Sequence, residues 1–221
     1  MYQNIPTKVL TGEVRLSYVH LNEPYSNPAN PGNPKYSVTL LIPKSDTATK
    51  ADIDQSMAAA YEAAVRDKWK GNRPKIIHAL IYDGDGVRDN GTPFGPECKG
   101  HWVLTASSNR KPQVVDISNI NCELAPQDVY SGMYGRVTMN FYSPKQGNPV
   151  ACGLGNVLKT RDGEPLSGGA SASADFEGLG QAPAPVPAAP QMGMPMPQPQ
   201  GYSYPQMGGI PNIDPITGLP R

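Results

Sequence analysis

Trp102 and the cations around it are the residues whose types and spacing point most directly to chemistry. The stretch GHWVLTASSNRKPQVVD, residues 100–116, sets an indole in a β-like run and follows it with a polar turn carrying the adjacent cations Arg110 and Lys111. A ring on a sheet can stack on a base, and cations at the sheet edge can neutralise phosphates, so the pattern suits a single nucleic-acid strand. The same residues also fit a core tryptophan beside a solvated hairpin loop. Other candidates extend the set. Lys44 closes an apolar run, Lys99 precedes Trp102, and Arg136 shares a strand face with Tyr142. Tyr134 and Tyr36 could add further rings, although Tyr36 alternates in phase with Val38 and Leu40.

The acidic segment YDGDGVRDNG offers a different chemistry. Asp83, Asp85 and Asp89 could gather divalent ions, as in a two-metal nuclease or resolvase. An EF-hand is excluded, because Val87 and Phe94 occupy the fifth and twelfth positions, where oxygen ligands are required. Asp-Gly pairs are equally good turn formers. His20, His78 and His101 are not at metal-ligand spacing, and no phosphate loop, dinucleotide fingerprint or nucleophile elbow is present. The inventory therefore sets an expectation of binding without catalysis, metal or cofactor.

These residues need elements to position them. Residues 8–21, 35–42, 101–106, 114–117, 133–142 and 150–159 read as strands from their alternation or apolar runs, and 75–82 as a short strand or extended approach. Ile53, Met57, Ala60, Tyr61, Ala64 and Val65 recur at helical spacing, which predicts a helix over 50–69 that opens on a Thr49 capping box and stops at Gly71. Residues 23–34 and 83–96 are rich in proline, glycine and asparagine and read as loops. Strand and helix do not alternate, so a mainly β barrel or sandwich with one inserted helix fits.

The 221 residues carry 19 Lys+Arg and 19 Asp+Glu, so any basic groove must be a local feature of a neutral body. Cys98, Cys122 and Cys152 form no C-x-x-C pair, which suits free thiols in a reducing cytoplasm. The start of the chain lacks the apolar run of a signal peptide, and no run could span a bilayer, so a soluble cytoplasmic protein is expected. From Pro165 the chain turns to Pro, Gly, Ala, Met and Gln with few charges. That composition predicts a folded domain over 1–164 and a disordered tail over 165–221.

Five ordered blocks, 35–44, 82–85, 100–116, 130–142 and 147–159, together resemble the bacteriophage-encoded single-stranded-DNA-binding proteins of the OB-fold type. The resemblance spans roughly residues 8–163. It implies a five-stranded barrel with an inserted helix, sequence-independent binding of single-stranded DNA in phage replication and recombination, and a groove lined by Lys44, Trp102, Arg110, Lys111, Arg136 and Tyr142. It also implies replication or recombination partners for the tail, although the usual acidic ending is missing: only Asp175, Glu177 and Asp214 are acidic after residue 164. Two other readings stand beside it, the nuclease built on Asp83, Asp85 and Asp89, and an interaction scaffold acting through the proline-rich tail. A homodimer is compatible with all three.

Overall fold

Strands form in each segment where the sequence predicted them, though 8–21 is split in two and 75–82 is strand only from Ile81, and they close on themselves. The computed structural model describes residues 2–26 and 31–166; the expected tail lies outside the described residues from 167 onward. The elements are β1 (Lys8–Leu10), β2 (Val14–Tyr25), β3 (Lys35–Pro43), α1 (Thr47–Asp67), β4 (Ile81–Asp83), β5 (His101–Ser108), β6 (Val114–Asp116), β7 (Asn119–Glu123), β8 (Tyr134–Tyr142) and β9 (Ala151–Arg161). Strand β2 runs antiparallel to β3, and β3 to β5. Strand β5 then meets β9 in parallel, β9 pairs antiparallel with β8, and β8 returns to β2 at Val14–Gly135. The result is a closed five-stranded barrel of the OB type with one inserted helix.

Residues of one parity fill it. Leu16, Val38, Leu40, Leu104, Met139 and Phe141 are buried in one core cluster. Ile53 and Ala60 of α1 reach the same cluster, with Met57 and Tyr61 packed against it.

Two expectations are corrected in detail. The helix is capped by Asp46, whose carboxylate accepts the Thr49 amide at 3.0 Å, and not by Thr49. The Thr49 hydroxyl instead accepts the Gly12 amide at 2.8 Å, tying the helix start to the barrel. That contact also explains why the run 8–21 is broken. The chain bends at Gly12 between β1 and β2, where a Cβ would sit 2.3 Å from the Asp46 carboxylate, so glycine gives the cap room. Strand β7 was not foreseen. It pairs with β6 alone and is exposed along its whole length, so no alternation marks it. Gly135 does provide the expected close approach, since a Cβ there would lie 2.6 Å from the Leu158 carbonyl oxygen.

Candidate nucleic-acid interface

The outer faces of β2, β3 and β5 form a shallow floor of small hydroxyl side chains. Register places Ser17 beside Thr39 and Thr39 beside Thr105, then His20 beside Ser37 and Ser37 beside Ser107. The Thr39 and Thr105 hydroxyls are 2.9 Å apart. Two cavities of about 520 and 370 Å³ lie over this floor, and Tyr18, Thr39 and Thr105 line both, so they form one trough.

Aromatic side chains edge it. The β2–β3 register shifts between Ser17 and His20, and Tyr18 there has φ of 47°. A bulky residue at positive φ is a conformational outlier, and a bulge re-aims the side chain it carries. Tyr18 accordingly turns outward and stays 59% exposed. At one end His20 and Tyr25 stack at 4.4 Å and 15°. At the other, Tyr82 and Phe94 meet at 5.8 Å, and the Arg88 guanidinium lies 5.0 Å from the Phe94 ring. Lys35 lines the Tyr25 end, and neither Lys35 nor Arg88 forms an ion pair among the described residues.

The 84–99 loop roofs one side and is braced from below. Leu41, Cys98 and Val103 form a small buried cluster against which Tyr82, Phe94 and Leu166 pack. Burial, aided by the neighbouring Glu97 carboxylate, pushes the Cys98 thiol up to about 11. The Tyr82 hydroxyl donates to Asp89 at 2.8 Å, and the same carboxylate oxygen lies 3.1 Å from His78 Nδ1.

The residues expected from sequence are spread over the barrel. Arg110 and Lys111 are exposed just past the end of β5, next to the Ser107 end of the trough. Lys44, Lys99 and Trp102 stand at the opposite end of β5, about 25 Å away at strand rise. Trp102 pairs with Ile42 and packs half-buried against the main core. Lys44 Nζ is 5.2 Å and Lys50 Nζ 5.0 Å from its ring. Tyr134, Arg136 and Tyr142 project from β8, on another face. The Arg15 and Arg161 guanidinium groups lie 5.8 and 3.4 Å from the Tyr134 ring centre, and Arg136 donates to the Thr11 carbonyl at 2.8 Å. Exposed Tyr142 flanks Gly153 on β9. Tyr36 lies on the core-facing parity at the open end of β3.

The acidic trio is likewise divided. Lys44 Nζ bridges Asp83 and Asp85 at 2.6 Å each, while Asp89 faces Tyr82 and His78. No metal-binding group of three side chains occurs among the described residues. Hydrogen bonding to Lys44 holds both the Asp83 and Asp85 carboxyls below the usual range and raises Lys44 above its own. Depressed carboxylates stabilise the fold above their unfolded pKa, near 4, and that contribution disappears as pH falls through the lower folded values. Asp85→Asn should therefore lower the melting temperature at pH 7 and flatten its decline between pH 5 and 3. An unchanged pH profile of melting in the variant would remove the ion pair from the account.

The trough is lined by Tyr18, His20, Tyr25, Tyr82, Arg88 and Phe94, none of which sequence reasoning singled out for binding. One signal was available: Phe94 is a lone aromatic in a Gly/Pro/Asp loop, where no alternation leads it to a core.

A closed OB-type barrel with an aromatic-edged trough on its strand face defines a class built to hold extended chains, oligonucleotides among them. The chain belongs to the family of the single-stranded DNA-binding protein of Enterobacter phage Enc34, whose model matches residues 7–184. Protein p50 of Acyrthosiphon pisum secondary endosymbiont phage 1 is 30% identical over 173 residues, covering 76% of this chain and 91% of the relative. The single-stranded DNA-binding protein of bacteriophage Enc34 in complex with ssDNA aligns with a TM-score of 0.61 and 29% identity, over 73% of this chain and 90% of that one. The same phage protein alone gives a TM-score of 0.60 at 29% identity, over 76% and 89%. The gp2.5 protein of bacteriophage T7 shares the fold, at a TM-score of 0.50 and 18% identity over 79% and 97%. No described helix is long and apolar enough to cross a membrane.

Proposed function

We propose that this chain binds single-stranded DNA in the trough over β2, β3 and β5, protecting exposed strands during phage DNA replication and recombination inside the infected cell. The observation that carries the site is the continuity of the two cavities through Tyr18, Thr39 and Thr105, edged by rings and by Lys35 and Arg88, which form no ion pair among the described residues. Bases stack on Tyr18, on the Tyr25 and His20 pair, and on Phe94. Lys35 and Arg88 meet phosphates, with Arg110 and Lys111 extending the cationic edge past β5. Stacking accepts any base, because every base has a π-face, so the binding is sequence-tolerant.

Binding without catalysis is supported by Lys44, which balances the two carboxylates a nuclease would need for metal. Tail-borne contacts to replication or recombination proteins, and a homodimer, are further readings of the same chain; deleting 167–221, which keeps Leu166 on the cluster that braces the trough's roof, should leave oligonucleotide affinity intact while removing any tail partner.

The test is anisotropy with a short labelled oligo-dT. Four phosphate contacts give a slope of log affinity against log salt near −3, so affinity should fall about fiftyfold between 50 and 200 mM salt. Adding Mg²⁺ should leave the strand uncut. A salt-insensitive affinity, or cleavage, would overturn the reading.

A further inference from the structure

We propose that a second contact for the same strand, beyond the trough, is a basic cup at the C-terminal end of α1. It rests on the trough reading above and extends it. Lys70 and Gly71 take φ of 52° and 96°, and the Gly71 amide donates to the Val65 carbonyl at 2.9 Å, so the chain reverses sharply after the helix. Lys68 Nζ donates to the Pro144 carbonyl and, at 3.2 Å, to the Ser143 hydroxyl, which docks the β8–β9 turn opposite the helix end. Between them lies a cavity of about 210 Å³ lined by Trp69, Lys68, Pro74, Lys145 and Pro149.

The cup has both parts that a strand requires. Trp69 is half-buried and held from behind by Tyr61, at 5.8 Å and 54°, while it forms part of the cup wall. The Tyr61 hydroxyl is itself anchored on the Pro74 carbonyl at 2.8 Å. The local carboxylates are already engaged: Asp67 by Arg66, and Glu62 by Arg73. Lys70, Lys75 and Lys145 are exposed and form no ion pair among the described residues. Cations near a helix C-terminus also complement its partial negative charge, roughly half an elementary charge confined to the last turn. That explanation suits Arg66 and Lys68. It does not reach Lys75, past the turn, or Lys145, on the β8–β9 connection.

The cup and the trough are joined by one segment. Asn148, in the β8–β9 turn, accepts the Ile77 amide at 2.9 Å and donates to the His78 carbonyl at 2.8 Å. This clamps 75–80 against the barrel with Ile76 and Ile77 exposed at 55% and 62%. The next residues, Ala79 and Leu80, line the larger trough cavity. A strand leaving the trough over Leu80 therefore passes an exposed apolar ridge and arrives at Lys75 and Trp69.

The two tryptophans make this testable in the full chain. With Trp102→Phe, Trp69 is the sole indole reporter. Oligo-dT of about 16 nucleotides should quench its emission, and one of about six should not, these lengths falling within the 4–16-nucleotide span of OB-fold sites. Independently, in the unaltered tryptophan background, the triple variant Lys70→Glu, Lys75→Glu, Lys145→Glu should lose about tenfold or more in affinity for the long oligomer. Its salt slope should flatten by about two, as three lost phosphate contacts require. Affinity for the short oligomer should stay within twofold. Equal losses on both lengths, no loss on either, or a Trp69 emission indifferent to the long oligomer would each overturn the cup. If Tyr18→Ala abolishes short-oligomer binding while the cup variants change nothing, the cup falls and the trough stands. If Tyr18→Ala leaves both lengths unaffected, the trough falls, and the path to the cup with it.

Discussion

Tyr18→Ala should weaken binding to a short oligo-dT by fivefold to about 150-fold, the range that corresponds to the 1–3 kcal/mol of one stacked base. Tyr18 is the ring shared by both halves of the trough, and it is more open to solvent than Tyr25, at 59% against 47%. Its removal exposes no core, so the melting temperature should move by less than about 2 °C, as surface substitutions do. Tyr18→Phe should keep the affinity within about twofold, since the ring and not the hydroxyl supplies the stacking. Titration by anisotropy together with a thermal melt checks both halves. Equal affinity in Tyr18→Ala and the parent would mean that bases stack elsewhere.

That residue also shows where reading from sequence stops. The barrel was legible because its strands obey period two: Val38, Leu40 and Ile42 alternate in sequence and are all buried in the structure. The helix was legible for the same reason at its own period, with Ile53, Ala60 and Ala64 buried. Tyr18 breaks the rule. Counting by twos through residues 14–20 puts Val14, Leu16 and Tyr18 on one face, but the shift after Ser17 turns Tyr18 away from the core that Leu16 enters. A bulge inserts a residue without a compositional mark, so no periodicity reveals it. Phe94, Arg88 and Tyr82 were hidden differently. They come together through a loop fold, braced by Leu41 and Cys98, that local sequence does not encode.

The cations differ for a third reason. Charge along the sequence shows where lysines and arginines lie, but not which ones are already satisfied. Arg136 spends its guanidinium on the Thr11 carbonyl, in the gap between β1 and β2. Lys44 is committed to Asp83 and Asp85, a pairing across 39 and 41 residues that no window could show. Lys159, buried, holds Asp162 at 2.7 Å and the Asp128 carbonyl at 3.0 Å. Among the described residues, Lys35, Arg88, Arg110 and Lys111 near the trough and Lys70, Lys75 and Lys145 near the helix end form no such ion pair and remain for a polyanion, as does Lys99 at the far end of β5. A neutral protein can thus present positive charge along one path.

Trp102→Ala should give the opposite signature to Tyr18→Ala. The indole lies on the core-facing parity of β5, packs on the main cluster, and has Lys44 and Lys50 about its ring. Truncating a core tryptophan costs about 3–5 kcal/mol, and half-burial puts Trp102 near 3. In a domain of this size that is a fall of about 6–12 °C in melting temperature. Short oligo-dT affinity, measured well below the new midpoint, should stay within about twofold, because the floor of Thr39, Thr105 and Ser107 belongs to the other side of the same strands. The two variants together separate ring-on-base contacts from ring-in-core contacts in one barrel. A Trp102→Ala protein that melts like the parent but has lost its oligonucleotide would place the indole in the groove and move the binding face to the far end of β5.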